Sequence, residues 1–298
     1  MQPCDPILEL LDFDDAQVFA VVDGAMVEDL PSTAMRHNLS TRALYYDHQS
    51  HIANANGPHL IHCADDSVIV TVRNAFPAQG VVWWVWAEAD EGQAKAAIFR
   101  HLRGLGMVEI PEAYPAPPRL RAPMERVIFR HADARVMARV LPVLEPDQRA
   151  RLFGKTGALV LEVEGKLRRA LVPAGLPLAP PGFLRLTADQ MDAISDDLMA
   201  EHVAVVSRFL RRNAPYETQS LSDDALDRMS AAASERGREF RLQDGPSLLM
   251  FALLVALTGG KALDAPEIET AMTSGDIPPD QTLKEILDAF MQAEAGGM

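Results

Sequence analysis

The chain has 298 residues, 48% of them hydrophobic and 23% charged, which is enough apolar content to bury one large core or two modest ones and excludes disorder over most of its length. Its 28 Lys and Arg stand against 42 Asp and Glu, and the resulting charge of −14 repels a phosphate backbone and argues against a nucleic-acid reader. Two cysteines, Cys4 and Cys63, supply neither a disulfide framework nor a thiolate zinc site and fit a reducing compartment. Met1 to Asp5 offers no basic region and no apolar stretch, so no secretory or lipoprotein signal is read there and a cytoplasmic protein is expected.

In chain order, the β-branched run Gln17 to Asp23 reads as a buried strand closing at Asp23-Gly24, with a helix to follow. Val68-Ile69-Val70-Thr71-Val72 has strand propensity, and residues 66–76 stay open between strand and helix. Val81 to Trp86 carries the strongest strand signal. Asp90 to Gly104 is a helix with Ala94, Ile98, Leu102 and Leu105 on one stripe. Arg126 to Arg130 reads as another strand, and Asp133 opens a helix holding Val136, Met137, Val140 and Leu141. Strands alternating with helices predict an α/β (α+β) lobe with a mixed sheet.

Pro177, Pro180, Pro181 and Gly182 interrupt any regular element, and the charge balance changes at the same place. Residues 1–186 hold 19 bases and 22 acids, whereas residues 187–298 hold 9 and 20. The reading is an α/β lobe over 1–175, a proline-rich linker over 176–186 and an all-α lobe over 187–298. Thr187 with Gln190 forms a capping box for a helix running to Arg211-Arg212. Further helices are expected at Asp224–Arg238, Pro246–Leu257, Pro266–Thr273 and Leu283–Gln292, separated by Gly237, Gly259-Gly260 and Gly275. The apolar run Leu248 to Leu257 is half of the roughly 20 residues that cross a bilayer and reads as a buried helix. Residues 119–169 carry twelve bases against six acids, as intramolecular pairing or as a docking face for an acidic partner.

Candidate chemistry is sparse. Gly154-Lys155-Thr156 has the end of a phosphate-binding loop without its first glycine, since Arg149 stands there, and reads as a turn between helix and strand. Gly104-Leu105-Gly106 has Glu109 where a dinucleotide fingerprint needs its third glycine. His59 and His62 fall on opposite sides of a strand and cannot chelate one metal together. The doublets Asp14-Asp15, Asp65-Asp66, Asp196-Asp197 and Asp223-Asp224 read as caps or solvated faces. No Gly-x-Ser-x-Gly elbow and no His-Glu-x-x-His motif occurs in the sequence, so no catalytic, metal or cofactor residue is assigned. Trp84 and Trp86 share one face of their strand and Trp83 takes the other. Most of that area reads as core, but an exposed indole among Trp83, Trp84 and Trp86 would make a partner-binding anchor.

The order of these motifs carries a resemblance. Asp23-Gly24-Ala25, Gly57-Pro58-His59-Leu60, the strand at Val81 to Trp86, the helix ending His101-Leu102-Arg103, then Phe129-Arg130-His131-Ala132-Asp133-Ala134-Arg135-Val136 and Leu141-Pro142-Val143-Leu144 resemble the adaptor chaperones of type VI secretion effectors (Tap/TEC-type proteins). The similarity spans roughly Val18 to Leu161, and the helical lobe more loosely. The family's later motif reads Phe-Arg-x-x-Asp-Pro-Arg, and Ala134 replaces its proline, which is helpful but dispensable at a first helical position. The family also has a short helix at the segment whose propensity here is strand. The resemblance implies a non-enzymatic adaptor without cofactor that holds the N-terminal segment of a cognate toxic effector and loads it on the spike protein VgrG, with no nucleic acid and no stable membrane insertion. Asp23, Gly24, Phe129, Arg130, Asp133 and Arg135 are then structural motif residues, Asp133 capping a helix and the arginines clamping carboxylates. The alternative is a hydrolase or nucleotide-dependent enzyme with an unrecognised site between the lobes.

Overall fold

A computed structural model describes residues 5–45, 55–111, 124–242, 244–274 and 277–296. The chain divides into two compact units between Ile194 and Ser195.

The first unit is built on a six-stranded sheet. Its strands are β1 (Gln17–Asp23), β2 (Thr41–Ala43), β3 (Pro58–Cys63), β4 (Val81–Trp86), β7 (Thr156–Val163) and β8 (Lys166–Leu171), in spatial order β2-β3-β1-β4-β7-β8. All its pairings are antiparallel. A second sheet, of three strands, sets β5 (Met107–Pro111) between β6 (Met124–Ile128), antiparallel, and β9 (Leu184–Arg185), parallel. The lobe therefore mixes both strand senses, but the parallel pair is confined to the small sheet.

Central strands buried on both faces explain the unbroken apolar runs. Phe19, Val21, Val82, Trp84, Trp86, Leu159 and Leu161 turn to one side, where they meet α4 (Glu91–Gly104), α5 (Ala134–Val143) and α6 (Pro146–Phe153). Ala20, Val22, Ile61, Val81, Trp83, Val85, Ala158 and Val160 turn to the other, against α1 (Pro6–Leu11), α2 (Leu30–Arg36) and α3 (Asp66–Ala75). Residues 66–76 settle as that third helix despite their β-branched content. Asp65 caps it by accepting from the amides of Ser67 (2.9 Å) and Val68 (3.1 Å), and Ile69 and Val72 bury one stripe against the sheet.

The proline-rich segment is irregular, but it does not end the first unit. Leu184 and Leu186 are buried in the first core. Beyond them, Thr187 and Gln190 form the expected capping box, with Thr187 N to Gln190 Oε1 at 2.9 Å and Gln190 N to Thr187 Oγ1 at 3.3 Å. The Gln190 carboxamide is also engaged with buried Gln148, and Gln148 donates to the carbonyl of Arg185 at 2.6 Å. The boundary therefore lies later than the linker at 176–186, inside α7 (Ala188–Asn213).

The second unit is helical among its described residues, with α8 (Pro215–Thr218), α9 (Asp223–Glu239), α10 (Gly245–Leu257), α11 (Pro266–Thr273) and α12 (Pro279–Gly296) following the end of α7. Phe251, Ala252, Leu254 and Val255 of α10 fill its core, and Phe240 meets Phe251 edge-on at 5.5 Å. Gly237 does not separate helices. It lies inside α9, where an added Cβ would come within 2.9 Å of Leu248, so its missing side chain lets α9 and α10 approach closely. Gly275 lies outside the described residues. Among those residues no helix is long and apolar enough to cross a membrane.

Candidate functional site

The motifs scattered along the first unit close on one another at the end of β1. Asp23 pairs in register with Pro58, and the next residue, Gly24, donates its amide to the Gly57 carbonyl at 3.0 Å. A Cβ on Gly24 would sit 2.2 Å from the Ala55 oxygen and 2.5 Å from the Gly57 oxygen, so only glycine admits this approach. Asp23 itself accepts from the amide of Ala25 at 3.0 Å, fixing the turn that leaves the strand.

Arg130 reaches this point from 107 residues away. Its Nε and Nη2 donate to Asp23 Oδ2 at 3.1 and 2.6 Å. Asp133, 2% exposed, caps α5 by accepting from the amide of Arg135 at 2.9 Å; its carboxylate also takes the Arg135 guanidinium and lies 3.6 Å from Arg130 Nη2. Two buried carboxylates thus alternate with two half-exposed guanidinium groups. Burial works against the charge on Arg130, but the hydrogen bond and charge of Asp23, with Asp133 behind, outweigh it and raise its pKa. Burial first, and then the Asp23 charge, push the Tyr45 phenol up, so it stays neutral. Beside this clamp opens a hollow of about 310 Å³ between Ala25, Tyr45, Pro58, Ile128 and Ala132, with Asp23 and Arg130 in its wall. Ile128 is 60% exposed at its rim. Tyr45 and Ile128 were not singled out from sequence, because nothing local distinguishes them; only the fold brings them to the clamp.

The tryptophans are corrected as anchors. Trp83, Trp84 and Trp86 are 3, 0 and 3% exposed, each beneath helices on its own side of the sheet, so none presents an indole to a partner. Their alternation is as expected from the strand, with Trp84 and Trp86 sharing one face. Trp84 lies edge-on to His101 (6.1 Å) and His131 (6.4 Å), and Trp86 lies 5.3 Å from His101. Burial lowers the pKa of both imidazoles to about 4, against the opposing pull of the Leu152 carbonyl on His101 and the Phe129 carbonyl on His131.

The remaining candidates take structural places. Gly154, at φ 55°, ends α6, and Lys155 pairs with Glu88 at 3.3 Å, so Gly154-Lys155-Thr156 is the turn between helix and strand. His62 bonds the Gln17 carboxamide at 3.0 Å, and burial pushes the Cys63 thiol up to about 12. Among the described residues no group of three or more His, Cys, Asp or Glu could hold a metal. Arg119 and Arg121 of the basic zone lie outside the described residues. Within it, Arg126 meets Glu109, and Arg149 and Arg151 donate to backbone carbonyls, so much of its charge is spent internally.

No curated protein and no solved structure matches the chain. Residues 18–151, just under half of the chain, match the model of a family described as a domain of unknown function (DUF4123), and this segment contains the Asp23, Arg130 and Asp133 clamp.

Proposed function

We propose that the chain is a cytoplasmic adaptor chaperone that holds the N-terminal segment of a type VI secretion effector and helps to load it on the spike protein. The observation that carries the reading is the convergence of the motifs behind the resemblance. Asp23-Gly24 packs on Gly57-Pro58, Arg130 locks to Asp23, and Asp133 sets the helix behind them. Residues far apart in the chain thus build one clamp, beside an apolar hollow with an exposed isoleucine at its rim. The segment that matches the family model, 18–151, coincides closely with the Val18 to Leu161 span of the resemblance. An apolar hollow over a rigid polar clamp suits a holder of an apolar client segment, since a few well-packed side chains carry most of a protein contact.

The experiment is to look for a toxin gene next to that of the chain and to co-express the two. The toxin's N-terminal segment is expected to co-purify with the chain, and deletion of the chain's gene to abolish secretion of that toxin while leaving other effectors secreted. A toxin that is soluble and secreted without the chain overturns the reading.

A further inference from the structure

The six-stranded sheet ends at β8, and this edge differs from the other strand edges. At the opposite end β2 has three residues, and its Arg42 stacks on Phe99 at 3.4 Å. In the small sheet Arg126 of β6 is tied to Glu109. β8 reads Lys-Leu-Arg-Arg-Ala-Leu over Lys166–Leu171, with all three cations exposed and Leu171 54% exposed. Among the described residues no carboxylate pairs with Lys166, Arg168 or Arg169, and the Arg169 guanidinium lies 5.5 Å from the centre of the Phe13 ring. Three unneutralised cations in four residues stand out in a chain of charge −14.

Backbone geometry shows which groups this edge offers. β7 and β8 are joined by Glu164 and Gly165, both with positive φ (52° and 71°), the mirror-image turn that flanks itself with a doubly hydrogen-bonded pair. Val163/Lys166, Leu161/Arg168 and Leu159/Ala170 therefore exchange bonds inward, and the Val172 N to Gly157 O bond of 3.0 Å continues the alternation. Leu167, Arg169 and Leu171 direct their N–H and C=O outward. Arg168 and Arg169 project to opposite faces of the sheet.

We propose that the outer edge of β8 receives an extended segment of a partner protein that carries two adjacent acidic residues, added to the sheet as a further strand. The outward N–H and C=O groups of Leu167, Arg169 and Leu171 supply the ladder, and adjacent carboxylates, one to each face, answer Arg168 and Arg169. The source is the client effector, and that assignment of source rests on the adaptor reading above.

The probe is a short labelled peptide of valine and threonine with a central glutamate pair, and its binding to the full chain is followed by fluorescence anisotropy. The wild type is expected to bind it, more weakly as salt rises. Replacing the two glutamates with glutamine, or Arg168 and Arg169 with Glu, weakens binding about tenfold. Leu171→Pro keeps every charge and deletes one outward N–H; it should melt like wild type and lose the peptide. A peptide that does not bind, or binds all these variants equally, overturns the proposal and leaves the cations as a guard against pairing between copies. A Leu171→Pro chain that loses the peptide yet keeps its effector overturns the effector as source. If no effector co-purifies even with wild type, the adaptor reading falls while the peptide result stands.

Discussion

The carboxamides of Gln148 and Gln190 face each other in the first core and donate reciprocally, at 2.9 Å and 2.7 Å, while each also donates to a main-chain carbonyl, of Arg185 and Val143 respectively. This pair fastens the start of α7 to the first unit. Gln190→Leu removes the donor to the Val143 carbonyl, the acceptor of the Thr187 amide and both bonds to the buried Gln148 carboxamide, and should cost about 1–3 kcal/mol, measured by urea denaturation of the full chain. For the same reason a chain ending at Leu186 should be markedly less stable than one extended past Ile194, although the prolines at 177, 180 and 181 invite the earlier cut.

Asp133→Ala removes the cap of α5 and should cost about 1 kcal/mol. Arg130→Ala should cost more, about 1–3 kcal/mol, because it leaves the carboxylate of Asp23 buried without its partner, and solvent around the half-exposed arginine keeps the loss moderate. A double-mutant cycle between Asp23 and Arg130 measures the coupling directly; two additive losses would dissolve the clamp described above.

His101 and His131 should make the fold acid-sensitive. Both are neutral in the folded state, with pKa near 4, and both bind protons near 6.5 once unfolded, so the stability they retain above that value drains away as pH falls from 6.5 toward 4. At pH 5 the loss is about 2 kcal/mol for each imidazole. Equilibrium denaturation at pH 7.5 and pH 5 reads the sum, and His101→Gln, which keeps a donor for the Leu152 carbonyl, should remove about half of the difference.

Iodide should quench the native tryptophan fluorescence poorly and the denatured fluorescence well, since all three indoles are buried. Trp84→Ala should destabilise by about 3–5 kcal/mol, and if the chain holds an effector as proposed, that binding should fall only as far as folding does.

The elements of the first unit were legible where period and punctuation agreed. The strand at Gln17 to Asp23 closes at a glycine that sterics demand, and the stripe Ala94, Ile98, Leu102 faces the core as its spacing requires. Residues 66–76 were not legible, because isolated valines favour a strand while the Asp65 cap and two core contacts favour a helix, and the second set acts only in the folded chain. The exposed-indole expectation failed for a related reason. Alternation along a strand says which side each tryptophan takes, not whether a helix covers that side. The clamp was half visible, with Asp133 readable as a cap, whereas its link through Arg130 to Asp23 joins residues 107 apart in sequence and leaves no local signal.

The strand order β2-β3-β1-β4-β7-β8 also bears on synthesis. β1 leaves the ribosome early, but its second neighbour, β4, begins only at Val81, and the strand that covers β4 begins at Thr156. Until then the nascent chain carries the apolar strand Val81 to Trp86 with one edge unpaired, in the window in which aggregation competes with folding. Pairings of such long sequence separation form slowly, whereas the β7–β8 hairpin closes through a two-residue turn as soon as it is made. The last hairpin to emerge thus completes the sheet and seals its most adhesive edge.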